Sequence, residues 1–160
     1  MTDSGVFELR RVEPTDLPTL LEHRRLFFEE FGNADAATLA DHIRIFRRWL
    51  QPRLKSGSVV GWIATADGVP AGSGLVYVQS NRPHPWNRTG RSPYLMAMYT
   101  QPAHRRQGIA TAIVRAALNC AKDAGFSSMT LHATDAGRPV YEALGFVRGG
   151  EMWRSLKDWE

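Results

Sequence analysis

The chain has 160 residues, a formal net charge of +4 and 43% hydrophobic residues, which predicts one globular domain over residues 1–160 and excludes a largely disordered chain. The charge is modest, and the arginine pairs Arg24–Arg25 and Arg47–Arg48 are expected on solvated helix faces, so a nucleic-acid partner would rest only on the pI of about 9.6. One cysteine, Cys120, excludes an internal disulfide. Without a signal segment or a membrane-spanning run, a cytoplasmic protein is the expectation.

The first half of the chain alternates between strand and helix patterns. Hydrophobic alternation indicates strands, and apolar residues three and four positions apart indicate amphipathic helices. The turn between the second and third strands is predicted at Ala66–Gly68. In chain order the elements are a strand at Val6–Arg11, a helix from Leu17, a second helix that ends near Lys55–Gly57, and strands at Val59–Thr65 and Ala71–Gln79.

The second half contains a strand, a long helix and another strand, which together form one crossover unit and predict a parallel strand pair. The elements are a loop at Ser80–Pro93, a strand at Tyr94–Thr100, a helix at Gly108–Ala124, a strand at Ser128–Ala133, a short helix at Pro139–Leu144 and a last strand at Val147–Arg154. The whole order is βααβββαβαβ. It predicts an α/β fold with a mixed sheet and helices on both faces.

The stretch from Met98 to Thr111 has the composition of an anion site. A buried strand leads into a basic turn, and the turn opens a helix at Gly108. The first amides of a helix lack backbone partners and lie at the positive end of its dipole, where phosphate commonly binds. Glycine lets a ligand approach the backbone, while Arg105 and Arg106 add positive charge.

Other phosphate, metal and nucleophile motifs are missing from the sequence. There is no Gly-x-x-x-x-Gly-Lys-Ser/Thr and no Gly-x-Ser-x-Gly, and Gly72-Ser-Gly74 lacks the third glycine of a dinucleotide fingerprint. The five histidines are scattered without metal-ligand spacing, so no metal site is predicted. Cys120 falls beside the apolar stripe of the long helix, which favours a packing role.

Two segments resemble signatures of the GNAT superfamily of acetyl-CoA-dependent N-acetyltransferases. Arg105-Arg-Gln-Gly108-Ile-Ala110 matches the family's Arg/Gln-x-x-Gly-x-Gly/Ala motif, and Tyr141–Phe146 matches its second recurring pattern. The element order also matches from Val6 to Trp153. The resemblance implies a GNAT-like fold with a mixed, mostly antiparallel central sheet, helices on both faces and a splayed parallel strand pair.

The resemblance also assigns roles to individual residues. Backbone groups of Met98 and Thr100 would pair with the pantetheine arm of acetyl-CoA, and an amide near Met98 or Tyr99 would stabilise the oxyanion. Tyr141 would protonate the leaving thiolate as general acid. The implied cofactor-binding set is Met98, Tyr99, Thr100, Arg105, Arg106, Gln107, Gly108, Ile109, Ala110, Thr111, Thr134 and Arg138.

The acceptor amine and the general base carry no local sequence pattern. Candidate bases are Glu29, Glu30, His132 and Asp135. One hypothesis for the acceptor site is an aromatic wall with nearby carboxylates that attract a cation, formed by Phe27, Phe28, Phe31 and Trp86.

The sequence is compatible with two functions. The preferred interpretation is an enzyme that transfers acetyl from acetyl-CoA to a primary amine, either a small molecule or a peptide, without a nucleic-acid or membrane partner. The alternative is a CoA-binding regulatory or interaction module without turnover. Because dimers are frequent in the family, a homodimer is a further expectation.

Overall fold

The computed structural model describes residues 7–157, which form five strands, four α-helices and two short 3₁₀ helices. The strands and α-helices are β1 Glu8–Arg11, α1 Leu17–Phe31, α2 Ala36–Ser56, β2 Val59–Ala66, β3 Val69–Ser80, β4 Arg91–Thr100, α3 Ile109–Asp123, β5 Thr130–Leu131 and α4 Arg138–Ala143. The 3₁₀ helices are Pro14–Asp16 and Pro102–His104. The predicted first strand begins at Val6, which lies outside the described residues.

The five strands form one sheet in the order β1-β2-β3-β4-β5. Neighbours are antiparallel from β1 to β4, and β4 pairs with β5 in parallel. The β2–β3 turn places Asp67 and Gly68 at φ of 51° and 77°, both in the left-handed region that two-residue hairpin turns require. The predicted fold class, with its crossover and parallel pair, is confirmed.

Helices cover both faces of the sheet and create two core clusters. On one face α1 and α2 pack against the sheet around Leu50, Ile63 and Leu75, which are fully buried. On the other face α3 contributes its apolar stripe, with Ile113 and Val114 at the centre. Within residues 7–157, no helix has both the length and the apolar character needed to cross a bilayer.

The parallel pair is short, so the sheet opens between β4 and β5. Their register contains only Tyr94–Thr130 and Leu95–Leu131. The strand predicted at Ser128–Ala133 is therefore reduced to two residues. The pairing ends at Leu95 and Leu131, and the opening lies at the carboxyl ends of these two strands.

The prediction of a last strand at Val147–Arg154 is wrong. These residues form no strand and pair with no other strand in the described part of the chain. Gly149 and Gly150 interrupt the segment, and glycine weakens a strand because it adds backbone entropy and no side chain to pack. The apolar side chains of Val147, Met152 and Trp153 are left 89%, 93% and 85% exposed.

Candidate active site

A bulge in β4 shapes the floor of the opening. Leu75 of β3 lies opposite Met96 and Ser73 lies opposite Tyr99, so Ala97 and Met98 share the single position facing Gly74. Ala97 has φ of 53°, which is uncommon for a residue with a side chain. A Cβ on Gly74 would lie 2.3 Å from the sulfur of Met98 and 2.7 Å from a methyl group of Ile113, so a larger residue would displace these side chains. The extra residue redirects the end of β4 away from regular pairing.

The loop that follows β4 presents the start of α3. Arg106 and Gly108 both adopt left-handed backbone conformations, with φ of 64° and 84°. The amide of Ala112 donates to the Gly108 carbonyl at 2.9 Å, so the amides of residues 109–111 precede the first hydrogen bond of the helix. Apart from the adjoining residues, no atom of the described chain lies within 4 Å of the place where a Gly108 Cβ would stand. The arrangement has the unpaired donors, the dipole and the open space of an anion site.

A first cavity of about 400 Å³ lies between the end of β4, the start of α3 and α4. Eleven of the thirteen predicted site residues line it: Met98, Tyr99, Thr100, Arg105, Arg106, Gly108, Ile109, Ala110, Thr111, Thr134 and Tyr141. Gln107 and Arg138 lie outside its lining. The Gln107 amide points back to the Ala103 carbonyl at 3.5 Å, and Arg138 pairs with Asp135 at 2.8 Å.

Arg105 is held in place by two other elements. Its terminal nitrogens donate to the two carboxylate oxygens of Glu30 at 2.5 and 2.6 Å, and its Nε donates to the Thr100 carbonyl at 3.0 Å. The hydrogen bond from Arg105 holds the pKa of Glu30 below its usual value. The ion pair thus joins the last turn of α1 to the basic loop and offsets part of the loop's positive charge.

A second cavity of about 360 Å³ adjoins the first on the side of α1. Residues that line both cavities are Phe27, Met98, Tyr99, Thr134 and Tyr141. The remaining lining residues of the second cavity are His23, Arg24, Tyr77, Tyr94, Leu95, Met96, Ala97 and His132. The opening in the sheet therefore connects two binding spaces, which meet at the Tyr141 side chain.

Tyr141 has the properties of a proton donor. Its ring is half-buried, packs against Phe146 with centroids 5.9 Å apart, and lies 3.0 Å from the position of a Cβ on Gly137. Burial raises the pKa of the Tyr141 phenol, and the nearby Tyr94 raises it further. The hydroxyl therefore remains protonated at neutral pH and can donate to a group at the junction of the cavities.

The four candidate bases differ in their surroundings. Glu29 pairs with Arg25, Glu30 pairs with Arg105, and Asp135 pairs with Arg138. His132 lines the second cavity, and its Nδ1 shares a hydrogen bond with the Tyr94 hydroxyl. Of these four residues, only His132 reaches the space next to Tyr141.

The structure brings only part of the hypothetical aromatic wall to the cavities. Trp86 is 86% exposed and lies against His84, because the 81–90 loop closes on itself through backbone bonds between His84 and Asn87. Phe28 packs on His42 rather than facing the second cavity. Phe27 lines both cavities and Phe31 lines the first.

His23 and Arg24 are functional candidates that the sequence did not reveal. The His23 ring is 2% exposed, and its Nδ1 shares a hydrogen bond with the Ser73 hydroxyl at 2.8 Å. Arg24 was expected on a solvated face, but it is half-buried against Phe28 and Phe46. Arg25 is the member of the pair that is salt-bridged on the surface. In the sequence, the different surroundings of Arg24 and Arg25 are indicated only by the spacing of Arg24 and Phe28, which are one helical turn apart.

No three side chains of His, Cys, Asp or Glu within residues 7–157 gather closely enough to hold a metal ion. The two cavities are instead lined by backbone donors, arginines, tyrosines and His132. This set suits an anionic ligand and proton transfer.

Comparisons with known proteins agree with this geometry. The family model described as "Acetyltransferase (GNAT) family" matches residues 17–146. A GCN5-related N-acetyltransferase from Ralstonia eutropha JMP134 is 34% identical, with a TM-score of 0.86 over 93% of this chain and 97% of that one. A predicted acetyltransferase from Clostridium acetobutylicum, crystallised with acetyl-CoA, is 26% identical with a TM-score of 0.83 over 94% and 96% of the two chains.

Among curated proteins, human N-acetyltransferase 8 is 35% identical over 62 residues, which are 37% of this chain and 27% of that protein. This match is partial, whereas the family model and the solved structures extend over most of the chain. The predicted family and its use of acetyl-CoA are confirmed, and the chain belongs to the GNAT family of acetyltransferases.

Proposed function

We propose that this protein transfers the acetyl group of acetyl-CoA to a primary amine by direct attack on the thioester. The observation that carries the proposal is the meeting of two cavities at Tyr141, in the opening between β4 and β5. One cavity has an anion site at a helix start, and the other is free to hold a different molecule. A two-substrate transfer without a covalent enzyme intermediate needs this arrangement.

The first cavity is the proposed site of acetyl-CoA, and its eleven predicted lining residues are the proposed contacts. The amides of residues 109–111, with Arg106 and the Thr111 hydroxyl, would hold the pyrophosphate. The bulged backbone at Met98 and Thr100 would pair with the pantetheine arm. When bound, acetyl-CoA supplies an electrophilic thioester at the junction of the cavities.

Three groups of the chain account for the chemistry. His132 would take a proton from the ammonium form of the acceptor, so that a neutral amine can attack. As the carbon–nitrogen bond forms and the carbon–sulfur bond breaks, a β4 amide near Met98 or Tyr99 would donate to the developing oxyanion. Tyr141 would give its proton to the departing thiolate, and the second proton lost by the acetylated nitrogen would return to the Tyr141 phenolate. The products are an N-acetyl amine, CoA and the proton held by His132.

A thiol-release assay across an amine library tests the proposal against the alternative of a binding module. We expect CoA to appear in an amine-dependent manner, with acetyl on nitrogen by mass spectrometry. Tight CoA binding in calorimetry without turnover on any amine would favour the regulatory module and overturn the enzyme.

We also propose that the enzyme acts in the cytoplasm as a homodimer. The compartment is supported by the lone cysteine, which requires no oxidising environment. The dimer is supported by four exposed apolar side chains in the 147–156 segment, since exposed apolar surface often marks an interaction site.

A further inference from the structure

The second cavity contains a cation without a matching carboxylate. Arg24 is half-buried in its wall, and the pKa of its guanidinium is lowered because burial disfavours the charged form. Within residues 7–157, no acidic side chain forms a salt bridge with Arg24 and none lines this cavity. A desolvated arginine is normally paired with an acid, but the described residues give Arg24 no acidic partner. Glu151 acts electrostatically on Tyr94 but does not line this cavity.

The Arg24 side chain is fixed in position before any ligand binds. Its guanidinium lies over the Phe28 ring at 4.8 Å and the Phe46 ring at 4.7 Å, which holds it between α1 and α2. Its Nε donates to the His42 Nε2 at 3.3 Å. No other hydrogen bond to Arg24 occurs in the described chain, so its terminal nitrogens keep their donors for a ligand.

The other polar groups of the second cavity would accommodate the same ligand. Tyr77, Tyr94 and His132 line it together with Arg24, and Arg24 and Tyr94 are close enough to affect each other electrostatically. Hydroxyl groups can donate to an anion beside a guanidinium. Since the thioester would stand at Tyr141, a ligand bound at Arg24 would direct its other end toward the junction.

We infer that the acceptor is an amine that also carries an anionic group, and that Arg24 binds this group while the amine points toward Tyr141. The inference rests on the proposed function and names its substrate class. Carboxylate and phosphate oxygens share the chemistry that a guanidinium recognises. A polycationic acceptor is disfavoured, because a positive charge beside Arg24 would be repelled in a cavity without carboxylates.

Matched acceptor pairs test the inference with the wild-type enzyme. Phenylalanine is compared with phenylalaninamide, and glucosamine 6-phosphate with glucosamine, while spermidine serves as the polycation. We expect the anionic member of at least one pair to have a kcat/KM at least about tenfold higher, which is the size expected for a charge-assisted contact. The pair that responds distinguishes a carboxylate from a phosphate. A kcat/KM ratio near or below one in both pairs, or a preference for spermidine, would overturn the inference but not the acetyltransferase.

Variants of neighbouring arginines assign the effect to one side chain. In the responding pair, Arg24→Gln should bring the ratio of kcat/KM for the anionic member to kcat/KM for its partner close to one. Arg24→Lys should restore part of the preference for the anionic member. Arg25→Gln is the control. Arg25 follows Arg24 directly on α1, but it pairs with Glu22 and Glu29 on the surface. An unchanged ratio in Arg24→Gln would contradict the assignment.

A binding measurement separates this inference from the proposed reaction. Calorimetric titration of the anionic compounds into the CoA-saturated protein should detect binding that Arg24→Gln weakens about tenfold or more. If thiol release fails with every amine while this binding persists, the proposed function is wrong and the anion site stands. If no anionic compound binds to the folded wild-type protein, the anion site is wrong.

Discussion

The carboxylate of Glu30 and the guanidinium of Arg105 form a two-point ion pair that ties the last turn of α1 to the loop before α3. Both side chains remain about one third exposed, at 33% and 34%. The pair places a negative charge next to the site proposed for a pyrophosphate. It therefore restrains Arg105 and also reduces the positive potential that the cofactor meets.

Replacing Glu30 by Gln should tighten acetyl-CoA binding about two- to fivefold, since a negative charge near a polyanion is removed. The free energy of unfolding should change by less than about 1 kcal/mol, because a partly exposed ion pair contributes little. Calorimetry and urea unfolding measure the two quantities. Glu29→Gln is the control on the same helix turn. Weaker acetyl-CoA binding in Glu30→Gln alone would mean that Glu30 serves to position Arg105.

Replacing Gly108 by Asp should abolish acetyl-CoA binding, because a carboxylate would occupy the space proposed for the pyrophosphate. Gly125→Asp is the matched control at the other end of α3. Gly108 and Gly125 have φ of 84° and 87°, and neither has an atom within 4 Å of its missing Cβ. A residue with a side chain at either position should therefore lower the free energy of unfolding by a similar amount, about 1 kcal/mol.

Isothermal titration of both glycine variants separates charge at the site from backbone strain. We expect affinity to fall at least about a hundredfold in Gly108→Asp and to change little in Gly125→Asp, with circular dichroism showing both to be folded. Near-normal affinity in a folded Gly108→Asp would refute the placement of the pyrophosphate.

The helix start at Gly108, where we propose that the pyrophosphate binds, could be predicted from sequence because its determinants are local. A glycine at the start of a strongly amphipathic helix, preceded by arginines and by Pro102, lies within one short stretch, and such patterns depend on neighbours in the chain. The structure adds that Gly108 is needed for its left-handed backbone as well as for its small size. The crossover from β4 through α3 to β5 followed from the same local patterns.

The second cavity could not be predicted, because its residues come from separate elements. Arg24 lies on α1, Tyr77 on β3, Tyr94 on β4, and His132 just after β5. Their proximity depends on strand register and on the rotation of α1, which turns Arg24 toward the second cavity and leaves Arg25 in surface ion pairs. Neither is encoded in a short motif. The bulge at Ala97 could not be predicted either, because the pattern of apolar residues in a strand does not indicate a backbone φ of 53°.

Replacing Tyr141 by Phe should lower kcat about a hundredfold, the usual contribution of a positioned general acid, and leave the KM for acetyl-CoA within about twofold. The protonated phenol is the active form, and it is lost as pH rises through its pKa. Because burial raises that pKa, the loss of this acid from the wild-type kcat should begin at a higher pH than the titration of a free phenol. Steady-state kinetics from pH 6 to pH 10 measure both effects. An unchanged kcat in Tyr141→Phe would exclude the acid role.

Replacing Trp153 by Lys should shift the protein from dimer to monomer if the 147–156 segment forms the interface. The Trp153 side chain is 85% exposed, so a lysine costs little stability in the monomer but would be unfavourable in an apolar contact. Light scattering after size-exclusion chromatography measures the mass. Trp86→Lys is the control, because Trp86 is equally exposed but lies in the 81–90 loop. A wild-type protein that is monomeric at high micromolar concentration would contradict the dimer.

Replacing His132 by Gln should lower kcat/KM for the acceptor about a hundredfold at pH 7, because the alkyl ammonium then has no group to take its proton. As pH rises toward the pKa of the free amine, near 10, the fraction of neutral acceptor grows and the difference between variant and wild type should shrink. His84→Gln, in the exposed 81–90 loop, is the control and should follow the wild type at every pH. A ratio that stays constant with pH would mean that His132 only orients Tyr94 through their shared hydrogen bond. In that case the proton must leave the acceptor by water in the second cavity, and His132 would be a positioning residue rather than the base.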